Sequence, residues 1–423
     1  MDPNKWKLAI AGFLRQDVPS TVDYLGVARK LIEWNGLVSK APLGILTAFD
    51  SVAEPTIAKS KELWIAALTA GSLPAVDFGE TDRAIATRLV ALTRALDEIL
   101  LVEAKSARFA GNPDEWIVDD FYVIPRKTLP PWRKPKLKDG YGRRGVLRHR
   151  ILPRTWSGLR VLPTFMETMA DHDARPPVGF GAAFFSGFSL KLGSSSDGTF
   201  FAEEAYHDDA RGNVEHQLDA SGRDGCFNIV WPELTVPGTL RDHIVSTLKA
   251  NILKASPASY PDIVVAGSWH EDIGGARRNV ARIYNGFGSE KVRHEKVVRF
   301  YHEEVGDEDI ESGGNIPVLV TDNHVVAFGI CKDFCGQSTL PPYLGLNVDC
   351  VLVPSMGDDR VAAAHRTAAE MLRNGNGARA FVVQQMFKAQ NDVVAFVLPP
   401  NAIQGEPLIS LKSGEIWRAF SGL

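Results

Sequence analysis

The run His324-Val325-Val326-Ala327-Phe328-Gly329-Ile330 constrains this chain more than any other stretch. Its apolar, β-branched and aromatic side chains read as a buried strand. It ends abruptly in Cys331-Lys332-Asp333. A thiol at the carboxyl end of a core strand, where the chain turns sharply, is well placed to be a nucleophile. The strand fixes it, the turn exposes its sulfur, and the N–H groups of the turn can face a developing oxyanion. The plainer alternative is a small buried residue that happens to be cysteine, since free Cys is among the most buried side chains.

Around this run, strand-like and helix-like segments alternate from residue 178 onward. Residues 178–191 read as the first sheet strand, and Leu192 to Gly198 as a turn that no Lys-Ser/Thr closes into a phosphate cradle. A polar helix over His207–Asp219 and a strand over Phe227–Trp231 follow, then a helix over Thr239–Leu253 and a strand over Ile263–Ser268. Further on come a strand over Val351–Val353, a helix over Val361–Arg373 stopped by Asn374-Gly375-Asn376-Gly377, and a strand from Phe381. Alternation of this kind predicts an α/β domain over 178–423.

Residues 1–112 read instead as a mainly α-helical domain. Ser20 to Asp23 caps a helix that ends at Asn35-Gly36, Leu63 to Leu68 lies in a helix stopping at Gly71, and Ile85, Leu89, Leu92, Leu96 and Ile99 form a stripe on a helix from Asp82 to about Ala107. This domain carries no recognisable chemistry. Between the two lies a basic, Pro-rich linker, 113–177. Within it Arg126 to Arg150 holds ten cations, with Trp132, Tyr141 and His149 interleaved. Such a segment stacks on bases, lines an acidic partner or is simply solvated.

Bulk numbers exclude several classes. At 423 residues the chain has room for two domains, and its net charge of −4 gives no global pull toward nucleic acid or acidic membrane. No apolar run approaches membrane-spanning length, and the N-terminus is a poor signal peptide. Cys226, Cys331, Cys335 and Cys350 are too few for a disulfide scaffold and lack CxxC spacing, which favours a reducing, cytoplasmic setting. Cys331, Cys335, His294 and His302 have no zinc-ligand spacing, and Gly286-Phe287-Gly288 lacks the third glycine of a dinucleotide loop. No metal and no cofactor are expected.

Two upstream stretches give the thiol company. One is Phe227-Asn228-Ile229-Val230-Trp231-Pro232-Glu233, the other Arg293-His294-Glu295-Lys296-Val297-Val298. Glu233, Lys296 and Cys331, in that order and each beside a strand-like run, resemble the carbon–nitrogen hydrolase (nitrilase) superfamily. So do Asn279-Val280-Ala281, Gly313 to Thr321, Asp349 to Ser355, His365 to Gln384 and Gly405 to Gly414. The resemblance spans about 178–423. It implies an αββα sandwich of the nitrilase type, paired into a homodimer or higher oligomer. It also implies hydrolysis of a small amide or carbamoyl compound without a cofactor. Cys331 would attack the carbonyl, Glu233 would move the proton, and Lys296 with the backbone N–H of Lys332 would hold the oxyanion. Lys296 close by would favour the thiolate. For the family's second Glu, counting back from Gly313 points to Glu308, with Glu303, Glu304 and Glu311 near enough to share the position.

Departures from the family pattern are visible. Lys332 follows the cysteine where an aromatic is common, Asp333 fits amidase-like members better than true nitrilases, and the family's usual C-terminal arm is expected to be short or missing after Gly414. A second cation at Lys332 would suit a substrate bearing a carboxylate or phosphate. Under the hydrolase reading the N-terminal helices supply an interface for a protein partner or a lid; the competing reading is a degenerate hydrolase fold that serves as a binding or scaffold protein, touching nucleic acid through 126–150.

Overall fold

The apolar stripe that starts at Asp82 becomes a helix enclosed on most of its circumference. The structure is a computed structural model and describes residues 2–73, 76–104, 111–126, 145–168, 179–253, 261–303, 305–336, 343–402 and 408–422. The chain divides into two units, Met1–Arg154 and Thr155–Leu423. In the first, α1 (Pro3–Leu14), α2 (Tyr24–Val38), α3 (Leu43–Ala48) and α4 (Glu54–Thr69) precede α5 (Asp82–Glu103). The expected stripe of α5 is buried, but so are Ala86, Val90, Ala91, Ala95 and Leu100. Small alanines on the second face let α2, α3 and α4 close around it. Asp23 caps α2 at the Gly26 N–H, 3.1 Å, as expected. The helix nevertheless runs through Asn35-Gly36 to Val38. Its last turn is anchored by buried Val38 and by the Trp6 indole, which donates to the Leu37 carbonyl at 2.9 Å. That packing outweighs the ~1 kcal/mol a mid-helix glycine costs.

Three antiparallel strands complete this unit: β1 (Ile117–Val118), β2 (Phe121–Pro125) and β3 (His149–Pro153). Buried Asp97 on α5 accepts from the Leu147 and Arg148 amides at 2.6 and 2.7 Å and bonds His149 Nδ1 at 2.9 Å. The boundaries therefore differ from those expected. Residues 113–154 belong to the first unit, and the second begins at Thr155 rather than 178. Arg126, His149 and Arg150 are buried, which removes them from any nucleic-acid face, while Arg148 is exposed. The rest of the basic run, including Lys127, Trp132, Tyr141, Arg143 and Arg144, lies outside the described residues.

The second unit opens with β4 (Thr155–Trp156) and β5 (Leu159–Phe165), read from sequence as linker. A sheet of seven described strands uses β6 (Gly179–Ala183), β9 (Cys226–Val230), β10 (Ile263–Val265), β11 (Trp269–Ile273), β12 (Ala276–Asn285), β13 (Glu290–Glu295) and β22 (Trp417–Ser421). Its order is β11-β12-β10-β9-β6-β22, with β13 on β12; β6, β9 and β10 run parallel. Hairpin β7 (Ser189–Ser194) with β8 (Phe200–Tyr206) and the short pair β14 (Tyr301–His302) with β15 (Gly306–Asp307) stand apart. A sheet of eight described strands adds β16 (Asn315–Val320), β17 (Val325–Phe328), β18 (Cys350–Gly357), β19 (Arg379–Gln390), β20 (Val393–Leu398) and β21 (Ile409–Lys412) to β4 and β5. In it β17, β18 and β19 run parallel, and β5 pairs parallel with β16.

The two sheets face each other. Phe180 meets Phe381 at 5.2 Å, Phe227 stacks on His324 at 4.5 Å, and Gln385 exchanges hydrogen bonds with the Phe185 backbone. Helices α6 (Ala210–Arg223) and α7 (Gly238–Asn251) pack on the outside of one sheet through Val214, Leu218, Ile244 and Leu248. Across from them are α8 (Lys332–Cys335) and α9 (Asp359–Asn376), with α9 covering β18 to β20. The layering is helix, sheet, sheet, helix. Among the described residues no helix is long and apolar enough to cross a membrane.

Candidate active site

Parallel strands offer their carboxyl ends as natural crevices, and two such ends, one from each sheet, meet here. Strand β9 leads into Trp231-Pro232-Glu233. The Trp231 amide donates to the Val265 carbonyl at 3.1 Å and its indole to Gln217 at 2.7 Å, so the strand is held to its last residue. Glu233 then turns under Ser355, to whose carbonyl its amide donates at 3.3 Å. The turn is tight. Leu234 has φ +53°, and Gly267 (φ +55°) lies so close to the Pro232 carbonyl that a Cβ there would be 2.5 Å from it. Strand β13 leads to Lys296, whose amide donates to Asn279 at 2.8 Å and whose carbonyl accepts from Gly313 at 2.9 Å. A Cβ on Gly313 would lie 2.3 Å from the Glu295 carbonyl, so only glycine lets that segment close in.

From the other sheet, β17 leads to Cys331, whose amide donates to the Pro354 carbonyl at 2.9 Å. Its backbone adopts φ +47°, ψ −106°, a region L-residues avoid. Strain in a non-glycine residue persists where the surroundings over-determine it, and functional sites are where it gathers. Here the surroundings are Asp333. Its Oδ1 accepts from the amides of Val297 and Val298 at 2.9 and 2.8 Å; its Oδ2 accepts from the Ile330 amide at 3.1 Å and bonds His294 Nε2 at 2.8 Å. One buried carboxylate thus ties the cysteine turn to the residues just after Lys296.

Glu233, Lys296, Glu308 and Cys331 come together, each at most 3% exposed. Lys296 Nζ donates at 2.7 Å to Glu233 Oε1 and at 2.7 Å to Glu308 Oε2. The Asn279 amide bridges the same carboxylates, 3.0 Å to Glu233 Oε1 and 2.8 Å to Glu308 Oε1. Backbone amides complete them: Met356 to Glu233 Oε2 at 3.1 Å and Phe300 to Glu308 Oε2 at 3.0 Å. Of the other acids considered after Lys296, Glu303 is exposed, Glu311 pairs with Arg278 at 2.9 Å, and Glu304 lies outside the described residues.

His270 supplies a further bond to Glu308, 3.0 Å from Nε2 to Oε1. Its Nδ1 accepts from the Ala202 amide at 2.7 Å, which can only donate. The ring is therefore the Nε2–H tautomer, and Nε2 donates to Glu308. Sequence reasoning missed His270 because nothing in Trp269-His270-Glu271 marks a partner 38 residues away. Asn279 and Asp333 were visible within motifs but had no role assigned there.

Electrostatics follow from two carboxylates sharing one ammonium out of water. Burial raises Glu233 above the usual carboxylate range; Lys296 opposes this and the Glu308 charge adds to it. Burial pushes Glu308 the same way, but Lys296 and the His270 hydrogen bond overcome it and hold Glu308 well below the usual range. Burial works against the Lys296 ammonium, yet Glu233 and Glu308 carry it well above an ordinary lysine. The thiol corrects an expectation. Burial first, then the Glu233 charge, push Cys331 well above a free thiol, and the pull of Lys296 is too weak to reverse them. The resting sulfur is a thiol, and its S–H donates to the Met356 carbonyl at 3.4 Å.

A cavity of about 450 Å³ opens above this cluster. Glu233, Lys296 and Glu308 form its floor; Leu190, Leu192, Phe200, Leu234, Phe300, Met356 and Phe387 are among its walls; Glu303, Arg360 and Lys388 also line it. Cys331 does not line it, but its neighbours Glu233 and Met356 do. Nor does the Lys332 side chain, whose Nζ sits 5.8 Å from the Phe300 ring centre. Its backbone N–H, first after Cys331, has no partner among the described residues. The arrangement offers a thiol, an adjacent carboxylate of raised proton affinity, and unspent N–H donors on Lys296 and Lys332.

No family model and no curated protein matches the chain. Among solved structures it is similar to an amidase from Nesterenkonia sp. AN1, a mutant with acrylamide added at its active-site cysteine, at 14% identity over 57% of this chain and 92% of that one, TM-score 0.40. A cysteine-to-serine mutant of that amidase, from the nitrilase superfamily, gives 15% identity over 59% and 93%, TM-score 0.40. A glutamine-dependent NAD+ synthetase from Acinetobacter baumannii gives 17% identity over 57% of this chain and 45% of that one, TM-score 0.40.

Proposed function

We propose that the second unit is a cysteine-dependent hydrolase of non-peptide C–N bonds, of the nitrilase superfamily, acting on an amide through a thioester on Cys331. The observation that carries this is the Lys296 ammonium held at 2.7 Å from both Glu233 and Glu308, beside a cysteine on a strained strand-end turn. A structural ion pair needs neither a second carboxylate nor a thiol at a forbidden φ.

The chemistry runs as follows. Glu233 takes the thiol proton as Sγ attacks the amide carbon, so the S–C bond forms while the carbonyl π pair moves to oxygen. The third N–H of Lys296 and the Lys332 amide stabilise that oxyanion. Collapse expels the nitrogen, which takes the proton from Glu233 and leaves as ammonia or an amine. Water then gives a proton to Glu233 and its hydroxide equivalent to the thioester. The acid leaves and the thiol regains its proton. A base of raised pKa suits both directions of transfer, and Glu308, kept ionised, stops Lys296 from neutralising Glu233 outright.

The test is ammonia release from a panel of primary amides by the full chain, with intact mass read after acid quench. Wild type should release ammonia and carry the acyl mass on Cys331. Cys331→Ala should do neither while unfolding at the wild-type urea midpoint. Ammonia release by Cys331→Ala at the wild-type rate would refute the proposal.

A further inference from the structure

The half-buried apolar wall above the catalytic floor carries an inference about the substrate, and it rests on the hydrolase reading. A site for acetamide needs little more room than its polar group. This cavity holds about 450 Å³, within the roughly 300–1,000 Å³ range of pockets that enclose drug-sized ligands. Its walls come from separate stretches of chain: Leu190 and Leu192 on β7, Phe200 on β8, Phe300 after Lys296, and Phe387 on β19. Leu190 and Phe387 pack against a small buried cluster of Ala202, Leu234 and Met356, yet both keep part of their surface open, as do Leu192 and Phe300. Apolar surface converging on one void, next to a polar floor, is the arrangement that a ligand completes.

The floor sets the other end of the ligand. Two carboxylates against one ammonium leave a net negative charge out of water, which repels an anionic group beside the scissile bond. The Lys332 side chain does not line the cavity, and the two cations that do besides Lys296, Arg360 and Lys388, are matched by the acids Glu303 and Asp358 on the same lining.

We infer that the substrate is a neutral amide whose acyl part is a large apolar group, a medium-length alkyl chain or an aryl-alkyl chain, lying against Leu192, Phe200 and Phe387. This differs from the small amide that the sequence suggests. The acyl group stays in the cavity as the thioester forms, and the nitrogen leaves toward solvent.

The experiment measures kcat/KM for acetamide, butanamide, hexanamide, octanamide and 3-phenylpropanamide with the full wild-type chain, with thioester formation on Cys331 followed by mass. Each methylene buried should raise kcat/KM about fourfold, so hexanamide should exceed acetamide by on the order of a hundredfold. Leu192→Asp and Phe387→Ser should each lower the hexanamide-to-acetamide ratio at least about tenfold, since they place polar groups on the wall. Equal or better turnover of acetamide, with Cys331 still acylated, overturns this inference and leaves the hydrolase standing. An unchanged ratio in both variants overturns the assigned wall. Absence of a thioester with every amide removes both readings.

Discussion

Replacing Lys296 by methionine is the sharpest test of the buried cluster. The change leaves an unbranched side chain one atom shorter and removes one ammonium from between two carboxylates, each 2.7 Å away and each nearly solvent-free. Breaking a buried ion pair from one side costs roughly 3–5 kcal/mol, because the remaining charge is left uncompensated. The loss should depend on pH, because Glu233 already lies above the usual carboxylate range and without Lys296 rises further. A carboxyl whose folded pKa exceeds its unfolded value, about 4.3, binds more protons folded than unfolded. Stability then falls as pH rises through that interval. Once Glu233 is protonated, the penalty shrinks toward that of an imperfect buried hydrogen bond, about 1–3 kcal/mol. The variant should therefore be destabilised by about 3–5 kcal/mol at pH 8 and by about 1–3 kcal/mol at pH 5. Urea unfolding followed by tryptophan emission measures this, with buried Trp231 one residue from the Pro232-Glu233 turn. An equal penalty at the two pH values, or one under about 1 kcal/mol at both, would refute the reasoning.

Three further outcomes follow from the same geometry. Asp333→Asn turns an NH₂ toward a site that receives four donors; kcat should fall about a hundredfold with KM little changed, because a misplaced nucleophile loses orientation rather than binding. His270→Ala leaves the Ala202 amide unpaired and Glu308 Oε1 with the Asn279 bond alone and should lower stability by about 1–3 kcal/mol, whereas His270→Gln, which can both donate and accept, should recover part of it in the same melt. Glu308 is held below the usual range, so its stabilisation is present above about pH 4.3 and is lost as pH falls through its folded pKa. The gap in thermal midpoint between wild type and Glu308→Gln should therefore narrow steadily on acidification, and a gap that widens would contradict the assignment.

Much of this was legible before any coordinates. Strand ends are marked by abrupt changes of residue type, so Val230 to Glu233 and Ile330 to Cys331 could be read locally, and so could the Gly377 stop of α9 (φ +70°). Other features depend on contacts that no local pattern encodes. Leu159 to Phe165 looked like linker because a basic run precedes it, and only its parallel pairing with β16, over 150 residues on, makes it a core strand. Gly36 looked like a stop because the Trp6 contact that extends α2 comes from another helix. Among the acids after Lys296 that lie in the described residues, Glu303, Glu308 and Glu311, burial and the His270 bond distinguish Glu308, and neither leaves a trace in spacing. The protonated thiol was missed because the sequence reveals a nearby lysine but not the desolvation that outweighs it.

The backbone at Cys331 has a consequence for durability. A left-handed φ of +47° is comfortable only for glycine, and holding a side chain there costs on the order of 1–3 kcal/mol. Glycine at 331 would relax that turn, and the small sulfur it removes contributes one weak hydrogen bond to the Met356 carbonyl. The Cys331→Gly protein should then outlast the wild type on heating. Long-lived descendants of this chain that have no use for turnover would be expected to lose the thiol first, and any lineage that keeps it does so against the steady pull of its own folding equilibrium.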